Sequence, residues 1–235
     1  MKYLEENITQ TLNEEYLVEM LHLNNKTILE LGCGGAQKTK LMANQGNSRT
    51  IIAYEIDEIQ HRKNLSIVNP SIEFRQGGAQ NINMPDNSAD IVFMFKSFHH
   101  IPKELMNQAL SEIKRVLKPN GLAYISEPLF AGDQNYLVSL FHDESEVRLN
   151  AFNAIKTFVE AGEMKLFQEI FFQTEVLYKD FSDFEKRQMN QTYNDDTINQ
   201  ELHAKVQSEY NRFANEKGEA FFLKPFRVDI LQKDV

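Results

Sequence analysis

The chain is poor in the residues that hold small secreted proteins together: its 235 residues include one cysteine and no tryptophan. Because Cys33 has no partner in the chain, an intrachain disulfide is excluded, which is typical of a reducing compartment. No apolar run approaches the ~20 residues of a membrane-spanning helix. The start turns acidic at Glu5 and Glu6, where a signal peptide would be apolar. We therefore expect a soluble, cytoplasmic protein with no membrane partner.

Positive charge is also scarce, since 25 Lys and Arg residues stand against 34 Asp and Glu residues. No basic stripe offsets the net charge of -9, so we expect no nucleic-acid partner. The deficit is uneven: residues 1–130 carry a net charge of -2, and residues 131–235 carry -7. Of the 17 phenylalanines, 13 lie at or after Phe130. The chain therefore has two compositional parts.

Short apolar runs alternate with helical patterns in the first part. The clearest helix has Pro102 in its first turn and ends before Pro119. This alternation predicts an α/β fold with a parallel sheet covered by helices. Five runs read as strands: 27–31, 50–54, 71–75, 90–95 and 122–125.

The pattern changes after Pro128. We predict a single domain over 1–235, in which residues 1–130 form the core and 131–218 form a mainly helical, Phe-rich cap or insertion after the fifth strand. Within the insertion, the run 167–177 reads as strand-like, and residues 219–235 contain the last strand. Near the start, Tyr3 to Leu23 is predicted to form one helix that closes over the bound ligand, with a simple packing helix as the alternative.

A glycine-rich turn follows the first strand, where an open parallel sheet binds ligands. Gly32 and Gly34 allow a tight turn and close backbone approach, and the helix that follows offers free N–H groups. A dinucleotide site would have a third glycine where this chain has Gln37, which weakens that interpretation. Glu55 ends the second strand, where a carboxylate can accept hydrogen bonds from both hydroxyls of a ribose.

Further motifs occur in order along residues 25–128. They are ELGCGG at 30–35, Glu55, GGA at 77–79, PDNSADIV at 85–92, FHHI at 98–101 and EIKRVLKPNG at 112–121. Together they resemble the class I S-adenosylmethionine-dependent methyltransferases, and the likeness is greatest to the small-molecule branch that includes quinone-biosynthesis enzymes, methyltransferase domain type 11. The resemblance implies a Rossmann-like, doubly wound, mostly parallel seven-stranded sheet with an antiparallel last strand.

The resemblance implies that S-adenosylmethionine is the cofactor and S-adenosylhomocysteine the product. Residues in the glycine turn and at Phe95 and Lys96 would contact the methionine part, Glu55 would hold the ribose, and Ile56 with 78–80 would contact the adenine. The implied cofactor contacts are Glu30, Gly32, Cys33, Gly34, Glu55, Ile56, Gly78, Ala79, Gln80, Phe95 and Lys96.

Two positions depart from the family pattern. Ala36 stands where a third small glycine is usual, and Gly78 stands where an aspartate often accepts the adenine amino hydrogen. A side-chain oxygen of Gln80 or Asn81, or else the backbone and water, would supply the missing acceptor. Alternatively, Gly78 simply allows the backbone to approach the adenine ring.

His99, His100 and Glu127 are the candidate catalytic residues, because they follow the fourth and fifth strands at the expected methyl-transfer mouth. His100 aligns with the family's more regular histidine, and the alternative for both histidines is a cap or packing role at the next helix. Lys96 is expected to pair with Glu127 or, failing that, to contact the cofactor carboxylate or an anionic acceptor. We expect no metal site.

The function predicted from these features is methyl transfer to O, N or C of a small-molecule acceptor. The alternative is a non-catalytic module or partner subunit that binds S-adenosylmethionine without turnover, and a nicotinamide dehydrogenase is a distant third. A nucleic-acid methyltransferase is disfavoured because residues 95–98, FKSF, lack the Asn/Asp-Pro-Pro-aromatic motif. The sequence leaves a homodimer open.

Overall fold

The computed structural model describes residues 1–45, 48–189 and 198–235. Its centre is one seven-stranded sheet of order β3-β2-β1-β4-β5-β7-β6. The strands are β1 (Thr27–Leu31), β2 (Thr50–Glu55), β3 (Ile72–Gln76), β4 (Ala89–Phe95), β5 (Leu117–Pro128), β6 (Lys165–Tyr178) and β7 (Ala220–Gln232).

Strands β1 to β5 are parallel, and β7 runs antiparallel to both of its neighbours, β5 and β6. This confirms the predicted sheet with its antiparallel last strand. A dinucleotide-binding sheet of order 3-2-1-4-5-6 has no antiparallel strand inserted beside its fifth strand. Because β7 is antiparallel, its first residues lie at the carboxyl end of β5, where Pro128 pairs with Phe226.

Eight α-helices accompany the sheet within the described residues. They are α1 (Glu14–Glu19), α2 (Gln37–Asn44), α3 (Glu58–Asn64), α4 (Lys103–Val116), α5 (Asp133–Ser139), α6 (Ser145–Glu160), α7 (Phe181–Phe184) and α8 (Gln200–Asn211). A single 3-10 turn, Phe98–His100, joins β4 to the segment before α4, and a π-helical turn, Glu185–Met189, extends α7.

The central strands are buried on both faces, which explains their continuous apolar runs. Leu29 and Val92 belong to a core that includes residues of α4 and α6, whereas Ile28 and Phe93 belong to a core that includes residues of α1. The helices therefore cover both faces of the sheet and leave the carboxyl ends of its parallel strands accessible to ligands.

The acidic, Phe-rich part of the chain contributes both helices and strand. The described residues of this stretch, 131–189 and 198–218, hold four α-helices and also β6, which forms one edge of the sheet. A separate aromatic core joins several of these elements to β7, with Tyr178 on β6, Phe184 on α7, Tyr210 on α8 and Phe222 on β7. Helix α6, in contrast, packs into the core that includes α4.

The single helix predicted from Tyr3 to Leu23 is wrong. Only Glu14–Glu19 is helical, and the side chain of Asn13 accepts a hydrogen bond from the Glu15 amide to cap it. Before the cap, Thr11 forms a parallel β-bridge with Gln173 of β6. Backbone hydrogen bonds to β6 satisfy this stretch in an extended form, and a helix would break them.

None of the helices in the described ranges combines the length and hydropathy needed to cross a bilayer.

Candidate active site

The glycine turn after β1 is held in a left-handed conformation. Gly32 has a φ of +74° and Gly34 a φ of +51°, which favour glycine. A Cβ on Gly32 would lie 2.7 Å from Cβ of Ser97, so the backbone approaches the end of β4 closely. Nothing lies within 4 Å of the position a Cβ on Gly34 would take. The turn therefore frames open space beside its backbone.

The side chain of Asn64, the last residue of α3, holds this turn in place. Its side-chain amide donates to the carbonyl of Gly34 at 2.7 Å and lies 3.5 Å from the sulfur of Cys33. Burial, with Glu30 and Glu55 nearby, raises the pKa of the buried Cys33 thiol. Cys33 is thus a neutral packing residue of the turn, without the thiolate that nucleophilic attack requires.

Glu55, at the end of β2, is oriented by two backbone amides. Its Oε2 accepts from Gly34 N at 2.7 Å, and its Oε1 accepts from Asp57 N at 2.9 Å. Each carboxylate oxygen has two lone pairs, so one acceptor site on each remains available. The pair of free sites suits a vicinal diol such as ribose.

Glu30 lies buried on β1, where its Oε2 accepts a hydrogen bond from the Thr39 hydroxyl at 2.6 Å. Burial raises the pKa of Glu30 to about 7, although the Thr39 hydrogen bond opposes the shift. A buried carboxylate with one hydroxyl donor lacks a full counter-charge. It therefore fits a cationic group such as the ammonium of a bound amino acid.

Gln80 folds back over Gly78 at the far end of the cleft. A Cβ on Gly78 would meet Oε1 of Gln80 at 2.3 Å, so the amide occupies the space of a side chain at position 78. The Gln80 carbonyl accepts from Gln108 of α4 at 2.9 Å, which anchors the loop. Ala79 is buried, and Ile56 is 64% exposed. Position 78 is thus filled by a neighbouring amide.

Phe95 and Lys96 end β4 in different environments. Phe95 is buried against Phe93 and Tyr124, with ring centroids 5.2 and 5.6 Å away. Lys96 is exposed, has a φ of +53°, and forms no ion pair with any residue that the structure describes. The predicted pair between Lys96 and Glu127 is wrong, because other groups occupy both oxygens of Glu127.

Glu127 holds the 3-10 turn that follows β4. Its Oε1 accepts from the Phe98 amide at 2.9 Å, and its Oε2 forms a very short contact with Nδ1 of His99. Burial lowers the pKa of His99, but Glu127 and Glu144 outweigh it and raise the pKa to about 9. His99 and Glu127 are therefore a buried charged pair that fixes the turn.

His100 lies beside this pair with an exposed side chain. Its ring centroid is 4.0 Å from that of His99. Desolvation by the surrounding protein atoms, together with the charge on His99, lowers the pKa of His100. Of the two neighbouring histidines, only His100 presents its side chain to the outside of the turn.

Sequence reasoning missed three residues that shape the site. Thr39 and Asn64 hold Glu30 and the glycine turn, and neither belongs to a recognisable motif. Glu144, before α6, places Oε1 3.5 Å from Nε2 of His99. Thr39 had one usable signal, since it lies within the first turn of the helix after the glycines.

These groups line one edge of the sheet, at the carboxyl ends of β1, β2, β4 and β5. The open glycine turn, the paired acceptor sites of Glu55 and the buried carboxylate of Glu30 fit the diol and the ammonium of S-adenosylmethionine. The histidine pair lies beyond β4, next to the place where the methionine end would lie.

Comparison with known proteins finds similar sequences for part of the chain. Residues 29–125 match the family described as a methyltransferase domain. The chain is 37% identical to an uncharacterized methyltransferase of Schizosaccharomyces pombe over 115 residues, 48% of this chain and 42% of that protein. A fatty-acid O-methyltransferase of Mycolicibacterium smegmatis is 27% identical over 118 residues, 45% of this chain and 41% of that protein.

A similar fold is found in a solved structure, the YcgJ protein of Bacillus subtilis. It has a TM-score of 0.63 and 16% identity, and the match covers 94% of this chain and 97% of that chain. The chain spans about two fifths of the length of the curated relatives it matches first. The matched segment contains the glycine turn, Glu55 and the histidine pair, and this segment is similar to the methyltransferase domain of S-adenosylmethionine-dependent methyltransferases.

Proposed function

We propose that the protein transfers a methyl group from S-adenosylmethionine to a small, hydrophobic acceptor. The observation that carries this proposal is the joint arrangement of the glycine turn, Glu55 and Glu30 beside a histidine pair at one sheet edge. The alternative is a module that binds the cofactor without turnover. We also propose a cytoplasmic location. From the charge of the chain, we further propose that it has no nucleic-acid partner.

The acceptor pocket is proposed to be a cavity of about 460 Å³ between the start of β7 and the segment after β5. Its apolar wall includes Leu129, Phe221, Leu223 and Pro225. The lining residues Leu129 and Pro225 flank the pair Pro128–Phe226, so the cavity borders the carboxyl end of β5. Ligand pockets are commonly apolar clefts of about this size with a few polar groups that fix orientation.

Carboxylates line the same cavity and limit the charge of the acceptor. Glu5, Glu6 and Asp133 contribute to its lining, and Glu5 is paired with Lys2 at 2.9 Å. A negatively charged acceptor would be repelled there. We therefore propose a neutral or cationic acceptor, such as a hydrophobic alcohol, phenol or amine, in place of a free fatty acid.

The residues act chiefly by binding and alignment. When bound, the cofactor supplies an electrophilic methyl group on its sulfonium. Glu30 and the glycine turn would hold its methionine end, Glu55 its ribose and Gln80 its adenine. His99 and Glu127 would be positioning residues, because they are bound to each other. His100 is the histidine that would face the acceptor at the mouth.

A transfer assay separates the two candidate functions. Incubation with methyl-labelled S-adenosylmethionine and a panel of hydrophobic alcohols, phenols and amines is expected to give labelled products and S-adenosylhomocysteine. Glu55→Ala should lose this activity through weaker binding, and Glu104→Gln, at an exposed site on α4, serves as the control. Tight binding with neither transfer nor slow hydrolysis of the donor would favour the non-catalytic module.

The pocket has its own test. Leu223→Trp fills the proposed cavity and should raise the KM for the acceptor about tenfold or more, with unchanged affinity for S-adenosylhomocysteine. Val68→Trp, at a residue 98% exposed, should leave both unchanged. An unchanged acceptor KM in Leu223→Trp would place the acceptor elsewhere.

A further inference from the structure

Three of the chain's six histidines surround the carboxylate of Glu144. One donor atom each from His99, His100 and Glu144 lie within 4.8 Å of one another. Nε2 of His99 is 3.5 Å from Oε1 of Glu144, and Nε2 of His142 is 3.2 Å from the same oxygen. Imidazole nitrogens with one carboxylate are ligands typical of divalent transition metals.

His99 is held in the way that metal-binding histidines are held. Its Nδ1 is bound by Glu127, whose other oxygen accepts from the Phe98 amide, so Nε2 is directed toward Glu144. Histidines that bind a metal almost always donate their second ring N–H to a carboxylate, a carbonyl or water. Glu127 therefore fixes both the tautomer and the ring orientation that a metal ligand needs.

Glu144 is oriented by a separate set of contacts. Its Oε2 is bound by Nη2 of Arg148 at 2.5 Å. Arg148 is buried and donates through Nη1 to the Leu129 carbonyl at 3.1 Å and to Oδ1 of Asn135 at 2.8 Å. Because Arg148 occupies one oxygen, the other oxygen of Glu144 stays on the histidine side of the cluster.

We propose that Nε2 of His99, one ring nitrogen of His100 and Oε1 of Glu144 bind a divalent transition-metal ion of the zinc class. Zinc–nitrogen bonds are about 2.0–2.1 Å, so donors up to 4.8 Å apart must draw together. The exposed side chain of His100 can make that movement, whereas His99 and Glu144 are already held. Nε2 of His142 also contacts Oε1 of Glu144, at 3.2 Å.

More than forty residues of sequence separate the two histidines from Glu144, so no short metal-binding motif identifies these three residues as ligands. Without an ion, a proton between His99 and the carboxylates holds the cluster together, and metal binding would replace it. If the proposed methyl transfer is correct, an ion here would lie beside the acceptor mouth. It would then lower the pKa of an acceptor hydroxyl by coordination.

Cobalt substitution tests the site directly. The chain is treated with a chelator, exchanged into metal-free buffer and titrated with Co²⁺ while its visible spectrum is recorded. We expect ligand-field bands that saturate at a single ion per chain and disappear when Zn²⁺ is added. A spectrum that stays that of aqueous Co²⁺ would overturn the proposal, and this result needs no variant.

Variants then assign the ligands. His100→Ala and Glu144→Gln should each weaken Co²⁺ binding about 100-fold or more, and Glu127→Gln should weaken it about 10–100-fold through His99. The control is His203→Ala, which removes another histidine–glutamate pair, 2.8 Å from Glu185. Bands that survive Glu144→Gln, or that are lost equally in His203→Ala, would contradict the site.

Circular dichroism checks that each variant is folded before its spectrum is interpreted. Because the titration contains neither cofactor nor acceptor, its outcome is independent of methyl transfer. Calorimetric binding of S-adenosylhomocysteine to the metal-free chain tests the proposed function separately. Failure of one experiment therefore leaves the other intact.

Discussion

Replacing the buried carboxylate of Glu30 with an amide, Glu30→Gln, should have opposite effects on stability and on cofactor affinity. The folded protein raises the pKa of Glu30 from 4.5 to about 7, chiefly through burial. The folded state therefore binds this proton more tightly than the unfolded state, so the stability gained from protonation is complete below pH 4.5. It is lost as the pH rises toward 7.

The size of this loss follows from the shift. At about 1.4 kcal/mol per pKa unit, the free energy of unfolding lost above pH 7 is at most about 3 kcal/mol. Glu30→Gln keeps an acceptor for Thr39 and removes the charge, so it should be more stable than the wild type at pH 7.5 and nearly equal at pH 4.5. At roughly 2–4 °C per kcal/mol for a chain of this size, Tm should rise by up to about 6–12 °C.

Affinity should change in the other direction. If the ionised form of Glu30 binds the ammonium, its charged fraction falls from about one half at pH 7.0 to about 3% at pH 5.5. Calorimetry should then show binding of S-adenosylhomocysteine weakened about 16-fold over that range. Glu30→Gln should bind weakly and without this dependence, and Glu104→Gln should behave as wild type. The same pH dependence in Glu30→Gln would refute the assignment.

Three further substitutions test other parts of the cleft. Glu55→Ala should weaken binding of S-adenosylhomocysteine by about 1–3 kcal/mol, because charged hydrogen bonds to the ribose are lost; calorimetry measures it, and unchanged affinity would identify another ribose ligand. Gly78→Ala should displace the Gln80 amide and weaken binding of S-adenosylhomocysteine by about 1–2 kcal/mol. In the double variant with Gln80→Ala, the two losses of binding free energy should not add; additive losses would mean that the two residues act independently. His100→Ala should lower kcat about 100-fold with cofactor affinity intact, while His203→Ala retains full activity. Full activity in His100→Ala would show that His100 is only a packing residue.

The glycine turn and the position of Glu55 were predictable because their signals are local. Gly32 and Gly34 need positive φ in a strand-to-helix turn, and Glu55 ends the neighbouring strand, so both features follow from short stretches of sequence. The parallel part of the sheet followed in the same way, because apolar runs that alternate with helices specify parallel strands. The antiparallel last strand was implied by the family resemblance.

The remaining parts depend on contacts that sequence spacing does not encode. The sequence predicted Lys96 as the partner of Glu127, but the turn after β4 brings Nδ1 of His99 to that carboxylate instead. Glu144 contacts His99 although α4, β5 and α5 lie between them in the sequence. The segment before Glu14 has the composition of a helix start, yet its backbone pairs with Gln173 on an edge strand.

The central claim is that this sheet edge binds S-adenosylmethionine through Glu55 and the glycine turn. Calorimetric titration of the full chain with S-adenosylhomocysteine tests it most directly. The account predicts saturable binding at one site per chain, weakened by Glu55→Ala and unchanged by Glu104→Gln. Absence of measurable heat with the wild-type chain, or equal binding by both variants, would contradict it.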